Sequence, residues 1–264
     1  MKKILVVFIS ILILMPEVKS STTSASSYIL MDQNTGRVLL SKDKDSQRLI
    51  ASITKIMTCI LTLESGKSED VVIVDDNATS AYGSGIYIEV GEEIKLKDLL
   101  YGLMLRSGND AASMIAAYVS GSIEEFVKLM NNKAKELGMK NTIFYTPSGL
   151  PTPHGNLSSV YDMAILTRYA MQNKEYREIV STKKYKTATN KKTYIWHNKN
   201  KLLKYDYITG GKTGYTEESG RTLVSTANID NMNLIVVTIR DSDDWNTHLE
   251  LYNYAKDNYI SYKV

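Results

Sequence analysis

Cysteine is almost missing from this chain: Cys59 is the only one, so no intramolecular disulfide can form and the fold has to be held by its core. Histidine is nearly as scarce. His154, His197 and His248 lie far apart, and no His-x-x-x-His or paired-cysteine spacing suggests a metal; none is expected. Long apolar runs are lacking too. The run from Ile4 to Met15 covers 12 residues, short of the ~20 that a spanning helix needs. It follows Lys2 and Lys3 and precedes Pro16 and a Ser/Thr-rich stretch, the charged, apolar, polar order of a secretory signal. Residues 1–20 are therefore expected to be a signal peptide that exports the rest; Val18-Lys19-Ser20 and Thr23-Ser24-Ala25 both offer small residues for cleavage. A large charge of either sign is absent as well. The formal net charge is +3, and cleavage after Ser20 removes three lysines against Glu17, leaving +1, which gives no electrostatic case for nucleic acid. No repeat, low-complexity tract after the leader or linker divides the remainder, so residues 26–264 read as one unit large enough for a sizeable core.

What is present is a chain with strands at both ends and helices between. Residues 28–40, YILMDQNTGRVLL, put two apolar runs around Asn34, Thr35 and Gly36 and predict a β-hairpin. Residues 51–63, ASITKIMTCILTL, are apolar on nearly every side and predict a buried helix stopped by Ser65 and Gly66. Residues 96–106 and 110–118 predict two more helices, broken by Ser107, Gly108 and Asn109. Ser122 and Glu125 form a capping box for a helix reaching Gly138, with Phe126, Leu129, Met130 and Leu137 as its apolar stripe. Another helix is expected over residues 159–171. Late in the chain, residues 221–227 and 232–240 are β-branched runs around the turn residues Asp230 and Asn231, a second hairpin, and a helix over residues 246–256 closes the sequence. The expected fold is α/β: an antiparallel sheet assembled from distant segments, flanked by helices, with an inserted helical lobe.

Three groups of residues carry chemistry. Ser-x-x-Lys occurs at Ser41/Lys44, Ser52/Lys55 and Ser181/Lys184, and context separates them. The first and third sit in charged stretches that read as solvated turns. Lys55 is the one charge on the buried helix, and lysine is almost never fully buried unless paired. Helical spacing puts Ser52 and Lys55 on one face, where a desolvated amine can serve as general base for the hydroxyl; by itself the pair is equally open to a snorkelling lysine and a capping serine. Ser107-Gly108-Asn109 is the second group, a helix connection that can present polar side chains to a cleft. The third is Gly210-Gly211-Lys212-Thr213-Gly214-Tyr215, where glycines allow a strand to approach a ligand; it is not a phosphate loop, since Asp206 stands where the first glycine would be required.

Ser-x-x-Lys, Ser-x-Asn and Lys-Thr-Gly in that order form the signature set of the penicillin-recognising serine enzymes. The sequence resembles the low-molecular-mass D-alanyl-D-alanine carboxypeptidases, peptidase family S11, from about Tyr28 to Tyr254, including LMDQNTGRVLL, ASITKIMT, GEEIKLKDLLYGLMLRSGNDAA, YTPSGL and GGKTGYT. The resemblance implies a β-lactamase/transpeptidase-like fold and a catalytic domain over residues 26–264. It makes Ser52 the acylated nucleophile, Lys55 its proton acceptor and Ser107 a relay toward the leaving D-alanine. Asn109 would orient the substrate amide, Lys212 and Thr213 would hold its terminal carboxylate, and Gly214 and Tyr215 would complete the binding strand, with the amides of Ser52 and Tyr215 as oxyanion hole. The implied substrate is a peptidoglycan stem pentapeptide ending in D-Ala-D-Ala, with β-lactams as covalent inhibitors, no cofactor, and action as a monomer.

Departures from the family pattern are visible. Ile50 stands where the family usually has proline. An arginine commonly precedes the last helix, whereas here the stretch reads DSDDWNT with Arg240 upstream. The β-rich domain and amphipathic helix that follow the catalytic domain in many members are expected to be absent. Cys59, seven residues after Ser52, reads as a small core residue. Two other readings stand beside the carboxypeptidase: a class A β-lactamase, against which no Glu-x-x-x-Asn-like segment is found between Asn156 and Glu175, and a non-catalytic penicillin-sensing or wall-binding module.

Overall fold

The structure is a computed structural model that describes residues 23–79, 82–151 and 154–260; the expected signal peptide lies outside them. Strand β1 (Ser27–Asp32) sends Tyr28 and Leu30 to one side and Ile29 and Met31 to the other, and all four are buried. It turns at Gly36, whose φ is 77°, into β2 (Val38–Lys42). The short β3 (Arg48–Leu49) leads into a 3-10 turn (Ala51–Thr54) and helix α1 (Lys55–Glu64). A ribbon of β4 (Val71–Ile73) and β5 (Glu93–Lys95) then gives way to α2 (Leu96–Tyr101), a π-helical turn (Gly102–Arg106), α3 (Asn109–Ser120) and α4 (Ile123–Glu136). After β6 (Leu157–Ser158), which pairs with β3, come α5 (Val160–Ala170), α6 (Lys174–Ser181) and the hairpin β7 (Lys184–Ala188) and β8 (Thr193–His197). The chain closes with β9 (Ile208–Thr216), β10 (Gly220–Ile229), β11 (Met232–Ile239) and α7 (Asp244–Asn258).

Five strands form the central antiparallel sheet in the order β2-β1-β11-β10-β9, so the first hairpin in the sequence docks on the last one. The β10–β11 turn carries Asp230 and Asn231 at φ 49° and 64°; two positive φ values match the right-handed twist of a two-residue hairpin. Both faces of the sheet are covered, which is why its strands are apolar on both. Leu223, Leu234 and Val236 meet Leu251, Tyr252 and Ala255 of α7 on one face. Val224, Ile235 and Val237 meet the larger core of α1, α3 and α5 on the other. Residues 55–63 of α1 are all buried, and each such aliphatic side chain contributes roughly 1.5–3 kcal/mol.

The layout is the expected one, and the differences are local. The segment 51–63 begins with a 3-10 turn, so Ser52 precedes the α-helix proper. The segment 96–106 is half α and half π. In α4 the buried stripe is Phe126, Met130 and Ala134, while Leu129 faces solvent, because α4 lies on the surface of the lobe and needs only a narrow apolar seam. Helix α6 and the β7–β8 hairpin have no counterpart in the sequence reading; their strands alternate exposed and half-buried or buried residues amid many lysines.

Candidate active site

The segment before α1 is bent into place by contacts that its neighbours supply. Ala51 adopts φ 48°, an uncommon value for alanine. Its carbonyl is overlaid by Gly149, where a Cβ would come within 2.0 Å of the Ala51 oxygen, so no side chain fits there. Just before Ala51 the backbone of Ile50 is fixed, its amide donating to the Asn156 carbonyl at 3.1 Å and its carbonyl accepting from the Thr222 hydroxyl at 3.1 Å. The first bond is one that a proline at position 50 could not make. Ser52 is thereby held in the 3-10 turn just before α1, facing a cavity of about 320 Å³.

Behind it, Lys55 is fully buried. Its Nζ donates to the Ser148 carbonyl at 2.6 Å and to Asn109 Oδ1 at 2.8 Å, and lies 3.0 Å from Ser52 Oγ. Burial, with lesser contributions from the Lys212 and Lys199 charges, holds its pKa well below the usual lysine value, against a smaller opposing pull from Asp110. A neutral amine has two protons and one lone pair. With both protons given to the two carbonyl oxygens, the lone pair is left for the Ser52 hydroxyl. The Ser148 carbonyl reaches this place because Asn156 organises the loop around it: Oδ1 accepts from the amides of Tyr145 and Thr146, and Nδ2 donates to Thr54 Oγ1 and the Thr146 carbonyl.

The π turn delivers Ser107 from the opposite side, at φ 66° in the left-handed region. An extra residue in a helical turn is a recurrent device at functional sites. Ser107 Oγ accepts from Lys212 Nζ at 3.0 Å, and the same amine donates to the Thr213 carbonyl at 2.7 Å. Burial, then the Lys199 charge, lowers the pKa of Lys212 to about 7. Strand β9 comes close to the nucleophile because Gly214 has no side chain: a Cβ there would lie 2.9 Å from the Ser52 amide nitrogen. Asp110 fixes the remaining wall, its carboxylate accepting from the amides of Ile86, Tyr87 and Ala111.

Of the residues singled out from sequence, Ser52, Ser107, Thr213, Gly214 and Tyr215 line the cavity, and Lys55, Asn109 and Lys212 lie buried directly behind it. Asn109 has both amide ends engaged within the protein, since Nδ2 donates to the Tyr82 carbonyl at 2.6 Å. A match to the D-alanyl-D-alanine carboxypeptidase family model runs over residues 15–243. The chain belongs to that family. Among carboxypeptidase relatives, DacF of Bacillus subtilis is 41% identical over 220 residues, which are 81% of this chain and 56% of DacF, so the chain spans little more than half of that relative. Among solved structures, a D-alanyl-D-alanine carboxypeptidase from Mycobacterium tuberculosis superposes with a TM-score of 0.87 at 26% identity, covering 92% of this chain and 95% of that one. A Streptomyces K15 DD-transpeptidase variant gives 0.84 at 28% identity, covering 90% and 99%.

Five cavity residues of this carboxypeptidase-family chain were not singled out from sequence: Ser84, Lys199, Arg221, Asp244 and Trp245. Asp244 and Trp245 stand in the stretch that lacks the family arginine, and Arg221 comes from β10 beside it. Arg240 does not line the cavity and packs on Gly220 instead. The other Ser-x-x-Lys pairs are surface features, Lys44 pairing with Asp45. Cys59 is buried and free, its thiol pushed far up by burial.

Proposed function

We propose that the protein is a serine D-alanyl-D-alanine carboxypeptidase that removes the terminal D-alanine of peptidoglycan stem peptides. The observation that carries this reading is the Lys55 amine, doubly donating to carbonyl oxygens and 3.0 Å from Ser52 Oγ. In the proposed reaction Ser52 Oγ attacks the carbonyl of the penultimate D-alanine and its proton passes to Lys55. The amides of Ser52 and Tyr215, brought together by the close approach at Gly214, receive the oxyanion. The C–N bond breaks, D-alanine leaves with a proton relayed through Ser107, and water then hydrolyses the Ser52 ester. Lys212 and Thr213 bind the substrate's carboxylate, whose charge favours the ammonium form of Lys212. Asn109 positions the Lys55 amine; orienting the substrate amide as well requires its Nδ2 to release the Tyr82 carbonyl.

β-Lactams enter the same scheme as acylating agents. Among the described residues lining the cavity the one carboxylate is Asp244, and it is paired with Arg221, so no free carboxylate stands ready to activate a deacylating water. This supports slow release and weighs against a β-lactamase. The leader supports export and action on the outer side of the cytoplasmic membrane.

The test is D-alanine release from a diacyl-Lys-D-Ala-D-Ala peptide, alone and with Ser52→Ala. Release is expected for the first and a loss on the order of 10³-fold or more for the second. No release by the parent protein, or undiminished release by the variant, overturns the proposal. So does turnover of labelled penicillin within seconds.

A further inference from the structure

We propose that the lysine-rich face formed by the β7–β8 hairpin and the turn after it is a docking surface for a linear polyanion, a chain with a phosphate-like charge on each unit. This surface lies outside the Ser52 cavity and does not depend on the reaction proposed above. Residues 183–204 hold eight lysines and no aspartate, glutamate or arginine, whereas the whole chain carries only +3, so the remaining residues sum to −5. A near-neutral total thus conceals one strongly cationic segment, and local charge is what sets a local potential.

The fold keeps this charge on the outside. The exposed face of the hairpin carries the register pairs Lys184–His197, Lys186–Ile195 and Ala188–Thr193. The alternate residues point inward, where Tyr185 stacks on Tyr101 and both Tyr194 and Trp196 are buried. That inner face also takes up the carboxylates beneath it. Asp98 accepts from the Tyr185 and Thr187 hydroxyls, and Glu92 from those of Thr189 and Tyr194. Among the described residues Lys192 alone of the eight makes an ion pair, with Glu89. Lys184 and Lys186 stand about 7 Å apart along the strand, within a Debye length, so the two charges repel until an anion lies across them.

The face continues into a groove. At the foot of the hairpin the Asn198 amide donates to the Lys183 carbonyl, and there Lys183, Lys201 and Lys204 line a cavity of about 270 Å³ with Asn198 and Asn200. Lys199, between the two asparagines, lines the Ser52 cavity instead. The cationic strip therefore runs from the outer face of the hairpin toward the catalytic cleft, a course that a chain can follow. Two features favour a flexible polymer over a lipid bilayer. Interfacial binding needs an apolar side that enters the headgroup layer, yet the aromatic rings of the hairpin face inward and Ile195, 51% exposed, is the one large apolar side chain on its outer face. Every cation of the segment, moreover, is a lysine, a hydrated point charge without the planar fork that fixed headgroup recognition uses. A polymer with many mobile charges asks only for charge density.

The experiment measures binding of fluorescent long-chain inorganic polyphosphate to the protein freed of its leader, beside sedimentation with vesicles of equimolar phosphatidylglycerol and phosphatidylcholine. Polyphosphate is expected to bind, and raising salt from about 50 to 200 mM should weaken it roughly tenfold or more through counterion release. Lys184→Gln/Lys186→Gln and Lys201→Gln/Lys204→Gln should each weaken binding roughly three- to thirtyfold. Lys128→Gln/Lys140→Gln removes the same charge from α4 and the loop after it and should stay within about twofold. All three variants should keep the parent's thermal transition and its rate of penicillin labelling. Absence of polyphosphate binding, or equal weakening by the control pair, overturns the inference. If vesicles are bound as tightly as polyphosphate, the partner is a lipid surface and the inference is wrong. D-alanine release is read separately, so failure of the carboxypeptidase reading and failure of this one are distinguishable.

Discussion

Two places in the molecule put a serine hydroxyl beside a nitrogen base. At the cavity, Lys55 Nζ lies 3.0 Å from Ser52 Oγ. Behind the sheet, Ser225 Oγ lies 2.6 Å from His248 Nδ1 and 2.7 Å from the Tyr252 hydroxyl, with Thr238 Oγ1 3.2 Å from His248 Nε2. By distance alone the second pair is the tighter. Yet Ser225, His248 and Tyr252 are completely buried between the sheet and α7, and none of them lines the cavity that Ser52 faces. The first pair has a cavity in front, a strained alanine beside it, and a base whose other protons are both accounted for. Proximity of a hydroxyl and a base therefore says little; access and a directed lone pair separate a reactive pair from a satisfied polar core.

That contrast can be broken by mutation. The largest effect is expected at Lys55: replacing it with Met, which fits the buried space without a base, should slow acylation of Ser52 about 10²- to 10⁴-fold, read as the rate of covalent labelling by penicillin. Retention of the parent rate would make the pair no different in kind from Ser225 and His248.

The next effect is one of acid stability. Burial depresses the His248 pKa from 6.5 to about 3. Between those values the unfolded chain takes up a proton that the folded protein refuses, so this contribution to stability is complete above pH 6.5 and lost as pH falls. From pH 7 to pH 4 it amounts to about 3 kcal/mol. Urea denaturation at the two pH values should show a shallower pH dependence for His248→Gln than for the parent, and an equal dependence would refute the assignment. Smallest is Ser225→Ala, which deprives His248 and Tyr252 of a partner and should lower stability by roughly 1–3 kcal/mol while penicillin labelling proceeds at the parent rate. A drop in labelling would mean that the two pairs communicate.

The sequence exposed Ser52 and Lys55 more readily than their surroundings. Ser52 and Lys55 are three residues apart, and a lone charge in an apolar helix is a local anomaly that needs no tertiary knowledge. The glycines around Lys212 are legible for the same reason, since a backbone that must come within contact of the Ser52 amide can carry nothing larger. Arg221, Asp244, Trp245, Lys199 and Ser84 were not legible because each belongs to an ordinary-looking segment and meets the others only in the folded chain, from β10, α7 and two separate loops. An arginine after a glycine in a strand, or an aspartate starting a helix, has a sufficient local reason to be there. The role of YTPSGL was likewise hidden, because what it supplies to Lys55 is a backbone carbonyl, an atom that every residue has. The sealed Ser225 and His248 pair left no trace either, the two lying 23 positions apart.

The π turn of residues 102–106 carries a consequence for how this lobe tolerates change. It accommodates one residue more than a regular helical turn, and the surplus is what rotates the backbone so that Ser107 meets Lys212. Removing any single residue there would allow α2 to run on regularly and would swing the following side chains by about 100°. Amino-acid exchanges that keep the count should be absorbed by the surrounding apolar packing. The segment is thus constrained in its length more strictly than in its letters, and a one-residue deletion is the lesion from which the site has no local means of recovery.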